Sequence, residues 1–199
     1  MQSLTYELQN GTWNKQFSLL NPMPRTEASL LLDPVRGNNL LFGGANAAGT
    51  KLAETWVYQS GQWSYLSLAT APSARSGHRM AFDRAQGLSL LFGGQGPTGA
   101  PLGDFWTWNG TVWSQRNLST LPPARFAHGL AHDQFRNRTV LYGGQDASGL
   151  RDDLWEYDAA TWTQITPAPP PAPATGTFGP GARAGFGMTY DPRAERTVI

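Results

Sequence analysis

Three glycine doublets, Gly43-Gly44, Gly93-Gly94 and Gly143-Gly144, recur at a spacing of 50 residues, and a pair of tryptophans follows each one: Trp56 and Trp63, Trp106 and Trp113, Trp155 and Trp162. A period near 50 constrains the fold more than any local propensity. One such unit cannot bury its own apolar face and has to stack on its neighbours. Function in such an array falls to the loops and to whatever the units surround.

Each unit reads as four short strands, here a to d. In the second unit Ala74 to Asp83 is strand a, entered from a Pro-rich loop. Leu88 to Phe92 is strand b, a nearly continuous apolar run of the kind covered on both faces. Gly93-Gly94 ends it, and glycine there permits positive φ and close backbone approach. Phe105 to Trp108 is strand c, Asn109-Gly110 reads as a type I′ hairpin turn, and Val112 to Gln115 is strand d. Four antiparallel strands in about 50 residues describe one propeller blade, so the class is all-β.

Aligning the columns extends the pattern past the doublets. Trp13 lies 50 residues before Trp63, so residues 1–20 supply a strand c and a strand d without a and b. Residues 21–70, 71–120 and 121–167 are whole blades. A Pro/Ala/Gly-rich loop follows at 168–181, with polyproline character. Residues 182–199 hold a strand a and the start of a strand b. Three whole blades are thus flanked by two complementary halves, and joining the halves would remove exposed sheet edges.

Composition narrows the function classes. The formal net charge is +1, and no basic run suggests a nucleic-acid or anionic-membrane partner. Cysteine is absent, which excludes disulfides and thiolate chemistry. Met1 to Leu20 does not read as a signal peptide.

The Gly-Gly doublet closing strand b, the aromatic about a dozen residues on and the Trp seven residues later resemble the kelch repeat. The resemblance implies a kelch-type β-propeller of four-stranded antiparallel blades. Tyr6 stands in the first-tryptophan column, Leu8 in the column of Tyr58, and the last repeat lacks its doublet. Kelch propellers have six or seven blades as a rule, while this chain supplies at most four. Three readings follow: a four-bladed closure through the split blade, a fragment of a larger propeller, or half of a dimer closed in trans. The break inside the last strand b favours the fragment.

Arg25, Arg75, Arg125 and Arg183 each precede strand a, the innermost strand, and so should ring the channel mouth on the face of the d–a and b–c loops. Kelch domains that capture acidic peptides use arginines there, and a guanidinium fork binds carboxylates bidentately. An alternative is structural. Glu54, Asp104 and Asp153 start strand c on the same face and would pair with the arginines of their own blades. Leu4 stands in the matching acidic position for the split blade, which leaves Arg183 as the foremost ligand-binding candidate. The tryptophan columns, Trp13 included, are assigned to packing between blades.

Other chemistry is thinly represented. The doublets lack the Lys-Ser/Thr and the helix of a phosphate loop. His128 and His132 are about 13 Å apart along a strand at 3.3 Å per residue, too far to share one ion. The Tyr–Cys copper site that some kelch-type propellers carry cannot form without cysteine. Asn10, Asn109, Asn117 and Asn137 match the N-glycosylation pattern, the first two better explained as turns. No cofactor, metal site or catalytic set is expected. The expected function is a non-catalytic binding module for a protein partner or acidic segment; the alternative is an enzyme acting on a small anionic or carbohydrate substrate at the channel mouth.

Overall fold

The computed structural model describes residues 4–166 and 179–199. Its strands, in chain order, are β1 (Thr5–Gln9), β2 (Thr12–Gln16), β3 (Ser29–Asp33), β4 (Asn38–Phe42), β5 (Thr55–Gln59), β6 (Gln62–Leu66), β7 (Arg79–Asp83), β8 (Leu88–Phe92), β9 (Phe105–Trp108), β10 (Trp113–Gln115), β11 (Gly129–Asp133), β12 (Arg138–Tyr142), β13 (Gln145–Asp146), β14 (Gly149–Leu150), β15 (Leu154–Tyr157), β16 (Trp162–Ile165), β17 (Thr189–Asp191) and β18 (Arg196–Val198). β3-β4-β5-β6, β7-β8-β9-β10 and β11-β12-β15-β16 are three antiparallel four-stranded blades. β13 and β14 form a small hairpin in the b–c connection of the third.

The innermost strands β3, β7, β11 and β17 lie side by side in that order, each at the free edge of its sheet. The second strands are the core. Leu40, Phe42, Leu90, Leu91, Phe92 and Leu141 are fully buried, as a continuous apolar run predicts. Strand a is shorter than its sequence reads, with β7 starting at Arg79 rather than Ala74. Residues 76 and 77 turn away to bond elsewhere: the Ser76 amide donates to Gln95 and the Gly77 amide to Glu27 of the preceding blade.

Blades are joined by repeated backbone bonds. The second glycine of each doublet donates to the arginine carbonyl of the next blade, Gly44 to Arg75, Gly94 to Arg125 and Gly144 to Arg183, all at 2.8 Å. A row nearer the axis runs from Gly77 to Glu27, Ala127 to Gly77 and Gly185 to Ala127. The first glycine explains why no side chain is tolerated here. A Cβ on Gly43 would sit 2.7 Å from the Arg75 carbonyl oxygen and 2.8 Å from Cε1 of His78.

The tryptophans pack as expected in the whole blades and not in the first half. Trp113 and Trp162 are almost fully buried, whereas Trp13 is 66% exposed. Trp63 Nε1 donates to Thr5 Oγ1 and Trp113 Nε1 to Thr55 Oγ1, each on the preceding unit. Phe105 occupies that threonine's column for Trp162, whose Nε1 is buried without a partner among the described residues. Trp108 is buried against Trp113, with ring centroids 5.3 Å apart.

Of the three readings left open by the sequence, closure of the two halves into one blade within this chain is not seen: β1-β2 and β17-β18 are separate two-stranded sheets, the first bonded to the outer part of the first blade and the second packed beside β11. A split blade needs its halves on one side of the array, and here they flank opposite ends. The Asn109-Gly110 turn is not type I′. Only Gly110 has positive φ, because the Asn109 side chain accepts the Thr111 and Val112 amides and sets a wider turn. Asn10-Gly11 does have positive φ at both positions. Of the Pro/Ala/Gly-rich loop at 168–181, residues 168–178 lie outside the described residues.

Candidate functional site

The four arginines occupy equivalent backbone positions on the face of the d–a and b–c loops. Arg75, Arg125 and Arg183 each donate an amide to the b–c loop of the preceding blade, at Leu52, Leu102 and Arg151, and accept from the preceding doublet. In each case Nε reaches the carbonyl two residues back. The periodic sequence therefore does place one guanidinium per blade at one level of the array.

Three of them are fully engaged. Arg75 Nη1 and Nη2 hold both oxygens of Asp104 at 2.7 Å, and Nη1 also donates to the Gly93 carbonyl at 2.9 Å. Nε and Nη2 take the Ser73 carbonyl and hydroxyl, so every donor nitrogen is occupied. Arg125 repeats the arrangement with Asp153 and Gly143. Arg25 makes a looser version, one 2.5 Å contact with Glu54 and a bond to Gly43. The Arg75 and Arg125 side chains have no exposed surface. Each clasp ties strand a, the doublet and strand c of one blade together.

The first tryptophan of each repeat is part of that clasp, a role that packing alone did not suggest. Trp106 Nε1 donates to Asp104 Oδ2 at 2.6 Å, and Trp56 and Trp155 do the same to Glu54 and Asp153. The acid-x-Trp spacing is the signal: residues two apart on a strand share a face. Burial alone would raise the Asp104 carboxyl. The Arg75 hydrogen bonds and charge, with Trp106, outweigh it and hold the carboxyl below the ordinary aspartate value; Asp153 and Glu54 behave likewise.

Arg183 differs. Its fork folds onto the carbonyls of Pro180 and Gly181, and its guanidinium stands 6.0 Å from the Phe186 ring centroid. Among the described residues it makes no ion pair. Leu4, which stands in the acidic column that would have served Arg183, directly precedes β1 in a sheet separate from β17-β18. Nearby, Arg151 pairs with Asp146, and the Tyr142 hydroxyl donates to the Gly181 carbonyl.

The histidines of the strand-a column are buried wedges. His78 and His128 are wholly buried, edge-on to Phe42 and Phe92 of the preceding blade. Among the described residues their ring nitrogens find no hydrogen bond of good geometry. Burial, reinforced by the charges of Arg75 and Arg79, pushes His78 down to about 3; burial, then Arg79 and Arg125, drives His128 well below the usual histidine value. Among the described residues no group of three or more His, Asp or Glu is placed to hold a metal ion.

Repeating four-stranded blades, inner strands side by side and one arginine clasp per blade define a repeat protein of β-propeller blades. The chain matches the KLHDC2/KLHL20/DRC7 Kelch-repeats domain model over residues 2–174 and belongs to the kelch-repeat family. The solved structure of YjhT is similar in fold, with a TM-score of 0.70 at 16% sequence identity; the match covers 95% of this chain and 64% of that one. This chain therefore spans less than two thirds of that structure. No curated protein matches it.

Proposed function

We propose that this domain is a non-catalytic binding module that recognises a partner protein on the face of the d–a and b–c loops, with Arg183 meeting an acidic segment. Kelch domains generally bind protein partners, and the family is the first support for this reading. The observation that carries the site is the contrast among the four arginines. Arg25, Arg75 and Arg125 are spent on carboxylates of their own blades, whereas Arg183 holds the same backbone position with only carbonyls and a ring beside it. A guanidinium held that way exchanges weak neutral acceptors for a carboxylate, the stronger, charge-assisted partner. Binding of a fluorescein-labelled poly-glutamate peptide by anisotropy tests it. Arg183→Ala should weaken binding by about 10- to 100-fold, as for loss of one charge-assisted bond of about 1.5–3 kcal/mol, while Arg25→Ala should change affinity little. Equal binding by wild type and Arg183→Ala would remove the assignment.

A further inference from the structure

The opposite end of the inner strands holds a cavity of about 440 Å³. It lies where the free edges of β3, β7, β11 and β17 converge, toward the a–b turns and away from the arginine clasps. Its volume falls within the roughly 300–1,000 Å³ of small-molecule sites. Leu31, Met80, Phe82, Leu130 and Met188 supply apolar wall, and Arg84 stands at the rim. Among the described residues, no Asp or Glu side chain lines the cavity.

Arg84 is not explained by the turn that carries it. The buried aspartates ending the inner strands organise the a–b turns. Asp33 accepts the Val35 and Arg36 amides, Asp83 the Gln86 amide, and Asp133 the Phe135 and Arg136 amides. Their second oxygens are taken by Arg36, Gln86 and Arg136. Arg84 takes no part: it is exposed, without a hydrogen bond or ion pair among the described residues, in a column otherwise filled by Pro34, Gln134 and Pro192. The nearby acids are already bound in the turns, and His132, which also lines the cavity, is pushed below the usual histidine value, burial outweighing the pull of Asp83 and Asp133. One free guanidinium therefore lines an open pocket in which Leu31, Met80, Phe82, Leu130 and Met188 alternate with polar groups and, among the described residues, no carboxylate faces it.

We propose that this cavity binds a small amphipathic organic acid, its carboxylate against Arg84 and its apolar body between the inner strands. The site is separate from the loop face of Arg183. The unpaired strand edges add backbone donors and acceptors around the ligand, and the fork of Arg84 selects a carboxylate over a neutral group of the same shape.

The test uses 4-phenylbutyrate and its neutral amide, 4-phenylbutyramide, with calorimetry for affinity and amide chemical shifts for location. The acid should bind at least tenfold more tightly than the amide, with shifts centred on β7 and β11. Arg84→Gln should abolish that preference, and Arg84→Lys should restore part of it. Both substitutions fall on an exposed, unbonded side chain, so circular dichroism should be unchanged. Equal affinity for acid and amide, no binding of either, full binding by Arg84→Gln, or shifts confined to the other face would each overturn the proposal. Poly-glutamate binding should be untouched by Arg84→Gln, which separates this inference from the reading of Arg183.

Discussion

Acid should loosen this domain well before its carboxylates titrate, and His78 and His128 are the reason. Both imidazoles are buried and neutral in the folded chain, wedged between a glycine doublet and the phenylalanine of the preceding blade. The unfolded chain takes up protons as pH falls through about 6.5, whereas His78 resists until about pH 3. A depressed folded-state value means that stability is full above about pH 6.5 and is lost progressively below it. Each pH unit below that point costs about 1.4 kcal/mol for a histidine that stays neutral when folded, so lowering the pH from 6.5 to 5 should cost about 2 kcal/mol for each of the two. At pH 5 the clasp carboxylates, held below their ordinary values, stay ionised in the folded chain and add little to the loss, which they govern only at lower pH. The perturbation is His78→Phe combined with His128→Phe. Phenylalanine already fills this column at Phe186, against Gly143, so the replacement suits the space. Urea denaturation at pH 7.5 and pH 5 should show a loss of about 4 kcal/mol for wild type and most of that loss gone in the double variant, with His132 setting the remainder. An equal loss in both proteins would refute the reasoning.

The clasps give a second prediction: Arg75→Met should destabilise the domain by about 3–5 kcal/mol, because it strands a half-buried carboxylate at Asp104, and Arg25→Met should cost less, since Glu54 is more exposed; denaturant midpoints decide it. Gly43→Ala should abolish folding as followed by circular dichroism, whereas Gly37→Ala, also at positive φ but with open space around it, should cost only about 1–2 kcal/mol. Thr55→Val should cost about 1–3 kcal/mol by leaving Trp113 Nε1 unsatisfied, the condition Trp162 Nε1 already has; an unchanged midpoint would mean that the bond contributes nothing.

Much of the blade was legible because the repeat samples the same environment three times. A column holding Arg25, Arg75 and Arg125 opposite one holding Glu54, Asp104 and Asp153 already implied strand-to-strand pairing, and the salt bridges follow it. Trp106 was legible as an aromatic to be buried, but not as a donor to Asp104. Whether an indole N–H finds a partner depends on rotamer and backbone register, which residue type does not encode. Arg84 went unnoticed because it breaks its column rather than repeating it, and periodicity detects only what recurs.

The sequence by itself determined the four-stranded unit, its apolar second strand, the glycines where neighbouring blades touch, and the family. These depend on local pattern and on contacts repeated between adjacent units. Tertiary structure alone decided that the two half-blades stand at opposite ends of the array, that three of four equivalent arginines are closed off by their own blades, and that Arg84 overlooks a cavity. Each depends on which surfaces meet across distant parts of the chain. A one-dimensional period fixes what every blade contains, and only the packed array fixes which of those groups is left without a partner.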